Sequence, residues 1–367
     1  MAFAKSVVAL PFELNWFGSE LRVLRTKADN VRLLGARIDA IDGKAIEGVF
    51  QSLKKYAGGI EEHRRLILTR LLRSPELLFA AGVAHDDKGL TLKGVLADGA
   101  QFEQRIEGIA VAGDAPIVSS VARLLYPAFD DGGDTFGWHS YLRNDAALPL
   151  YLQSSRKLFA LADLPNNGLY VELGFNMDGD DEPIGPFLRQ AEDKIRKMQV
   201  QFVVVDMRKN GGGDYTTTYD FASRLPQMSP TARIYVLTSG YTFSAAITTT
   251  AFIKQAGCER VTIVGEPVGD RLTFWAEGGR FVLPNVQVGV SYAAGKHDYV
   301  HACWNVLECF WVNYLYPVRV DTLRPDIAAP LTFADYRALR DPALDAVFAH
   351  EKTAVARTAA FGRSDSN

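Results

Sequence analysis

The stretch from residue 202 to residue 246 constrains this fold more than any other part of the chain. It opens with the apolar run Phe202-Val203-Val204-Val205, which leads into Asp206-Met207-Arg208-Lys209-Asn210-Gly211-Gly212-Gly213-Asp214. A second run, Ile234-Tyr235-Val236-Leu237-Thr238, ends in Ser239-Gly240-Tyr241-Thr242-Phe243-Ser244-Ala245-Ala246. Each run is a buried-strand signal, followed by a loop of small residues and then by helix-forming sequence. Around them a strand is expected over residues 167–176, an amphipathic helix over 186–198, a helix over 248–255 and a strand over 261–264. Strand, helix and strand in alternation imply parallel pairing with helical crossovers, and in such sheets the loops past the strand ends carry the chemistry.

Those loops hold a glycine triplet and an embedded serine. Gly211, Gly212 and Gly213 let the backbone turn sharply and bring its N–H groups close to a ligand. Ser244 stands where a strand gives way to a helix, and the N–H of Ala245 is among the unsatisfied donors of that helix start. A serine hydroxyl needs a base to take its proton and donors to hold the oxyanion that forms. Gly212 or Gly213 together with Ala245 would supply the donors and Ser244 the nucleophile. An N-cap serine beside a tight glycine turn explains the same residues equally well.

Composition excludes several classes. The chain has 367 residues, 48% hydrophobic and 23% charged, with a net charge of −3 and a pI near 6.1. That is globular composition with length for two or three domains and no basic footprint for nucleic acid. No apolar run reaches the length of a membrane span. Residues 1–14 contain an apolar stretch broken by Pro11 and Glu13, so no signal peptide is expected there. The cysteines Cys258, Cys303 and Cys309 form no CxxC pair, which argues against a zinc ribbon. They read as small buried hydrophobes, with a Cys303–Cys309 bridge as the lesser alternative. Asp130-Asp131-Gly132-Gly133-Asp134 lacks the ligand spacing of an EF-hand loop and reads as a linker.

Toward the N-terminus, residues 10–23 read as strand, turn and strand around Phe17-Gly18-Ser19, and Asp42-Gly43 is a turn signal. Residues 47–56 look helical, residues 60–79 helical with an end or kink near Pro75, and residues 90–106 a hairpin turning at Asp98-Gly99. The run from Gly35 through Ile38 and Ile41 to Gly43 resembles the middle of a PDZ-type domain, although the loop that holds a peptide carboxylate in such domains is not recognisable.

Asp206-Met207-Arg208-Lys209-Asn210-Gly211-Gly212 resembles the D-L-R-x-N-G-G signature of the S41 peptidases, the tail-specific or C-terminal-processing proteases. Thr242-Phe243-Ser244-Ala245-Ala246 is similar to their T-x-S-A-A motif, and Val264-Gly265-Glu266-Pro267-Val268-Gly269 to the V-G-E-x-T-x-G stretch that follows it. Arg324-Pro325-Asp326-Ile327, Asp335-Tyr336 and Asp341-Pro342-Ala343-Leu344 resemble the end of that domain. The likeness covers roughly residues 165–348, in the family's order. It implies a crotonase-like α/β core preceded by a small PDZ-like β-rich module, with Ser244 as nucleophile and Gly212, Gly213 and Ala245 around the oxyanion. It also implies a peptide or protein substrate, no metal or organic cofactor, and a periplasmic or secreted setting. The expected division is a PDZ-like module with a helical insertion over 1–110, a linker and helical segment over 111–160, the core over 161–350 and a polar tail over 351–367.

The departure from the family lies at the base. Where processing proteases carry a lysine, this chain reads Gly269-Asp270-Arg271, and arginine stays protonated near neutral pH. Lys254 lies too close to Ser244 in sequence to match. Tricorn-type relatives place a histidine before the PDZ-like segment, but the first histidine here is His63. His297 is the candidate base, with His139 further outside. Asp298 neighbours His297 but points to the opposite face of an extended strand, so it need not orient the ring. As ordinary core or surface histidines, His297 and His301 need no catalytic role. The expected activity is therefore acyl transfer from a peptide bond to Ser244. Its rivals are an inactive peptide-binding or scaffold relative and, less well matched, an acyl-CoA enzyme with the same oxyanion geometry. Oligomeric state is not fixed by these features.

Overall fold

A computed structural model describes residues 8–110, 124–127, 137–142, 147–153, 157–285 and 288–364. The acidic run at Asp130–Asp134 lies outside the described residues. The architecture is mixed α/β and clusters into two compact units, residues 1–148, 269–298 and 303–317 in one, 149–268, 299–302 and 318–367 in the other. No helix among the described residues is long and apolar enough to cross a membrane.

The first unit is built on an antiparallel meander of β1 (Phe12–Phe17), β2 (Glu20–Lys27), β3 (Arg37–Ile41), β4 (Gly89–Val95) and β5 (Gln101–Glu107), hydrogen-bonded in that order. Asp42 and Gly43 take positive φ, 46° and 76°, and turn β3 back onto the short strand Lys44–Ala45. Two successive positive-φ residues match the twist of a tight hairpin, which is why Asp-Gly occurs there. The Asp42 carboxylate then accepts from the N–H groups of His85 (2.8 Å) and Thr91 (2.7 Å), fixing the turn to β4.

Helices α1 (Ile46–Leu53), α2 (Glu61–Leu71) and α3 (Pro75–Ala80) pack Val49, Phe50, Leu68 and Leu78 onto Phe12, Leu14, Leu21 and Val23 of the sheet. The helical region expected over 60–79 is thus two helices. Pro75 opens the second rather than bending a single one, and the Ser74 hydroxyl accepts from the N–H of Leu77. Proline is tolerated in a first turn, where its missing N–H has no intrahelical partner to lose.

The same unit carries a long hairpin of Thr273–Leu283 with Val288–Asp298. Its base is tied to the following loop. Lys296 N–H donates to Glu308 O (2.8 Å) and Phe310 N–H to Lys296 O (3.0 Å), and a disulfide joins Cys303 to Cys309. The reading of these two cysteines as buried hydrophobes is therefore corrected. Their i, i+6 spacing was compatible with either state; Lys296 pairs with the chain on both sides of Cys309, and the loop folds back so that the two sulfurs join. Cys258 is a free, exposed thiol.

The second unit is a six-stranded sheet in the order β6 (Phe159–Leu164), β7 (Gly168–Leu173), β8 (Phe202–Asp206), β9 (Arg233–Thr238), β10 (Val261–Gly265), β11 (Ile327–Ala328). Only β6 runs antiparallel to its neighbour. Helices α4 (Ile184–Met198), α5 (Thr216–Met228) and α6 (Ala245–Gly257) form the crossovers β7–β8, β8–β9 and β9–β10. After α7 (Phe333–Arg337), helix α8 (Pro342–Ser364) lays Ala343, Leu344 and Val347 on Phe202, Val204, Tyr235 and Leu237. Every residue of β8 is buried, including Val203 and Val205, which alternate onto the other face. That double burial is why the run shows no polar alternation. The sheet thus delivers two loop starts, after β8 and after β9, side by side at its carboxyl edge.

Candidate active site

The loop after β8 is held by ionic and polar contacts beneath it. Arg208 forks onto two carboxylates, bonding Asp206 at 2.5–3.0 Å and Asp341 at 2.8 and 2.9 Å. Tyr170 donates its hydroxyl to Asp206 at 2.6 Å. Burial alone would raise the Asp206 carboxyl, but the Arg208 charge and these bonds hold it below the ordinary carboxylate value. Burial likewise opposes the charge on Arg208, and the two aspartates keep its pKa well above the usual one. Lys209 is paired with buried Glu172 at 2.6 Å. Ser239 and Thr242, from the loop after β9, donate to the carbonyls of Arg208 (2.6 Å) and Met207 (2.9 Å), so the two loops are bonded directly to each other. Asp206 and Arg208 thus anchor the glycine loop, with Asp341 supplied from 133 residues away.

The glycine triplet then passes against Ser244. Gly212 has φ +118°, and a Cβ there would sit 2.7 Å from Ser244 Cβ and 3.1 Å from its Oγ. Gly213 has φ +120°, and a Cβ there would meet the backbone of Asn176 at 2.9 Å. Both positions therefore demand glycine for conformation and for space. The Gly212 N–H donates to Asn210 Oδ1 at 2.9 Å, so this donor is already engaged. Asn176 pairs across Gly213, donating its N–H to Gly212 O and accepting from Asp214 N–H; this leaves the Gly213 N–H on the opposite side. Neither the Gly213 nor the Ala245 N–H has a hydrogen-bond partner among the described residues.

Ser244 precedes α6 with φ 54° and ψ −126°, a conformation non-glycine residues rarely adopt, and its side chain makes no capping hydrogen bond. The N-cap explanation for this serine therefore fails. A capping serine would have extended φ/ψ and its oxygen on the second or third N–H of the helix. Cys258 at the far end of α6 has nearly the same angles, φ 49° and ψ −121°, so strain alone does not distinguish Ser244. What does distinguish it is the thirteen-residue helix that starts at the next residue and the close approach of Gly212, where an added Cβ would lie 2.7 Å from Ser244 Cβ. Among the described residues, no side chain hydrogen-bonds the Ser244 hydroxyl.

Beneath these atoms lies a buried polar network that sequence reasoning missed. Asn210 Nδ2 donates to Asn176 Oδ1 (2.7 Å) and to Leu173 O (2.9 Å). Asn176 Nδ2 donates to Thr249 Oγ1 (2.7 Å) and Thr218 Oγ1 (3.1 Å), and the two threonine hydroxyls are 2.6 Å apart. This chain of bonds joins the end of β7, the glycine loop, α5 and α6. A signal was present in the triplets Thr216-Thr217-Thr218 and Thr248-Thr249-Thr250, since threonines repeated on an otherwise apolar helix imply buried partners. Thr248 in turn bonds the buried Tyr299 hydroxyl at 2.6 Å.

The other residues singled out in the sequence have contacts of their own. Lys254 donates to Val261 O at 2.8 Å and lies 3.5 Å from Asp326. Glu266 is bonded through its main chain to Thr238 in both directions. His297 belongs to the first unit, on the second hairpin strand, stacked on Phe274 with ring centroids 4.8 Å apart and tilted against Phe310. Burial, opposed by a bond with Asn313, lowers its pKa to about 4. His139 lies on the short strand Trp138–Ser140, which pairs with β2. In the first unit too, His63 on α2 faces the negative charge of Asp270, and burial lowers its pKa.

No family model and no curated protein matches the chain. Among solved structures, mature CPAF complexed with lactacystin matches with a TM-score of 0.59 at 13% identity, covering 92% of this chain and 82% of that one. This chain has the CPAF fold. Mature CPAF on its own matches with a TM-score of 0.55 at 12% identity, over 92% and 81% of the two chains. The photosystem II D1 C-terminal processing protease also matches, over 90% and 74% at 15% identity, but its TM-score of 0.33 is below what establishes a common architecture. At these identities the CPAF likeness is one of fold, so the chemistry of this CPAF-like chain has to be argued from its own residues.

Proposed function

We propose that this chain is an S41-like serine peptidase that cleaves a peptide or protein substrate by acyl transfer to Ser244. In this reading the second unit is the crotonase-like core, and the meander of the first unit is the PDZ-like module. The observation that carries the proposal is the uncapped serine in a rare backbone conformation at the head of α6, with Gly212 packed against it. The hydroxyl attacks the scissile carbonyl. The N–H groups of Gly213 and Ala245 receive the oxyanion, aided by the positive end of the α6 dipole. The leaving amine departs and water releases the acyl group. Gly212 contributes by close approach, and its N–H holds Asn210 in place. His297 enters only as a candidate base; with its pKa near 4 it is neutral at working pH and able to accept a proton, but only as a weak base.

The second reading is a relative that keeps the fold and binds peptides without cleaving them. The absence of a hydrogen-bond partner for the Ser244 hydroxyl among the described residues favours it. A fluorophosphonate probe separates the two. Labelling of the wild-type chain that disappears in Ser244→Ala supports the hydrolase, and a folded wild-type chain that stays unlabelled sinks it.

A further inference from the structure

Asn176 follows the end of β7 in the second unit and is fully buried. Every polar group it has is engaged. Its N–H donates to Gly212 O at 2.8 Å, and its carbonyl accepts from Asp214 N–H at 2.9 Å and from the Thr217 hydroxyl at 3.1 Å. Its side-chain amide meets Asn210 Nδ2 at 2.7 Å on one side, and Thr249 Oγ1 at 2.7 Å and Thr218 Oγ1 at 3.1 Å on the other. Bonds in such a buried network reinforce one another, and a group left without its partner there is costly.

Donors and acceptors run through this network in one direction. The Gly212 N–H can only donate and Leu173 O can only accept, so Asn210 turns Oδ1 to the first and Nδ2 to the second, each at 2.9 Å. Asn176 must then offer its Oδ1 to Asn210, which aims its Nδ2 at the two threonines. With those oxygens accepting, the hydroxyl protons are left for each other and for two carbonyls, Ala245 O at 3.1 Å from Thr249 and Tyr215 O at 3.1 Å from Thr218. One relay of bonds therefore runs from Gly212 through Asn210, Asn176 and Thr249 to Ala245. Because a peptide group is planar and trans, the bond from Asn176 N–H to Gly212 O also sets the direction of the Gly213 N–H.

We propose that Asn176 is the positioning residue of the oxyanion hole, fixing the Gly212–Gly213 peptide with its backbone and the Ala245 end of α6 with its side-chain amide. The inference rests on the reading of Ser244 as nucleophile and of the Gly213 and Ala245 N–H groups as the oxyanion donors. Those two donors lie on loops that follow different strands, β8 and β9. Such donors act only when both are already aimed at one point, since a hydrogen bond weakens steeply as its angle closes. Asn176 belongs to neither loop, follows a third strand, and is bonded into both. The relay needs an acceptor toward Asn210 and donors toward the threonines in one short side chain. Asparagine carries both, whereas ionised aspartate only accepts and leucine does neither.

The test is fluorophosphonate labelling of the full chain, resolved into a maximal rate, kinact, and an affinity, KI. Asn176→Asp keeps the size of the side chain but turns only acceptors to the threonines, so it cuts the relay at its centre. Its kinact should fall about 100-fold, the order of losing one oxyanion donor, with KI unchanged. Thr249→Val, which removes one hydroxyl, should lower kinact about tenfold, and Thr249→Ser should restore it. Because both substitutions cut the same relay, the double variant should label no more slowly than Asn176→Asp alone. Circular dichroism checks the fold, and Thr249→Val carries the test should Asn176→Asp fail to fold. Undiminished kinact in folded Asn176→Asp overturns the proposal, as does a loss seen only in KI, or single effects that multiply in the double variant. A second measurement needs no activity. In chain labelled with 15N-glycine and 15N-alanine, Thr249→Val should move the amide resonances of Gly212 and Gly213 as well as that of Ala245, and unmoved glycine resonances overturn the proposal. A wild-type chain that stays unlabelled sinks the hydrolase reading alone, and the amide shifts then decide whether Asn176 couples the two loops.

Discussion

Gly212→Ala tests the contact on which the candidate site depends. The added methyl group would lie 2.7 Å from Ser244 Cβ, 3.1 Å from Oγ and 3.2 Å from Phe243 O. Ordinary contact begins near 3.4 Å, so Ser244 has to retreat by ~0.7 Å or the loop has to open. Two effects add. Alanine at φ +118° carries backbone strain of ~1–3 kcal/mol. Overpacking against a well-filled neighbour adds ~1–3 kcal/mol. Gly213→Ala is the control, because it shares the backbone strain at φ +120° but meets Asn176 and Met177 instead of Ser244. Both variants should unfold at lower urea concentration than wild type. A displacement approaching 1 Å at a nucleophile is worth about a hundredfold in rate, so Gly212→Ala should label with a fluorophosphonate ~100-fold more slowly. Gly213→Ala should keep a larger share of labelling, unless its N–H moves as well. The stability comparison needs no activity, so it stands even if the wild-type chain proves inactive. Wild-type stability and labelling in Gly212→Ala would refute the close packing of Gly212 on Ser244.

Other outcomes are expected from the same contacts. Arg208→Met leaves Asp206 and Asp341 without their shared cation, and a broken buried pair is worth ~3–5 kcal/mol in a denaturant titration. Because the Asp206 pKa is depressed, its contribution is present above the unfolded carboxylate value and lost as pH falls through the lower folded one; in Arg208→Met burial is left to raise that pKa, so the stability gap between variant and wild type should narrow as pH falls. His297 is also depressed, to about 4 from 6.5, so the unfolded chain binds the extra proton between those values. Stability should therefore fall as pH drops from 6.5 toward 4, and His297→Phe should flatten that slope in thermal unfolding against pH. Thiol titration of the denatured, unreduced chain should find one reactive cysteine, Cys258, and three after reduction.

Much of the second unit was legible because its signals are local. The runs Phe202–Val205 and Ile234–Leu237 carry no charged residue and are buried throughout since both sheet faces are covered, and small residues follow each of them. The region after residue 60 was harder. Pro75 marked a boundary correctly, but whether a proline bends one helix or opens another depends on a cap at Ser74 that only its bond to Leu77 reveals. The site divided in the same way. Ser244 and the glycines were visible in sequence, yet the engagement of the Gly212 N–H by Asn210 was not, since it follows from Asn210 being fixed by Asn176 and Leu173, more than thirty residues earlier.

Taken alone, the sequence determined the order of strands and helices, the turns that require glycine, and the serine that directly precedes the helix after the second buried strand. These depend on neighbouring residues and on periodicity, which a linear chain displays. Tertiary structure decided that Ser244 caps nothing, that Asp341 closes the cation site of Arg208, that Thr218 and Thr249 share a buried network with Asn176, and that Cys303 and Cys309 are joined. Each of these is a pairing between groups whose distance is set by the packing of the surrounding chain, and no local propensity encodes it.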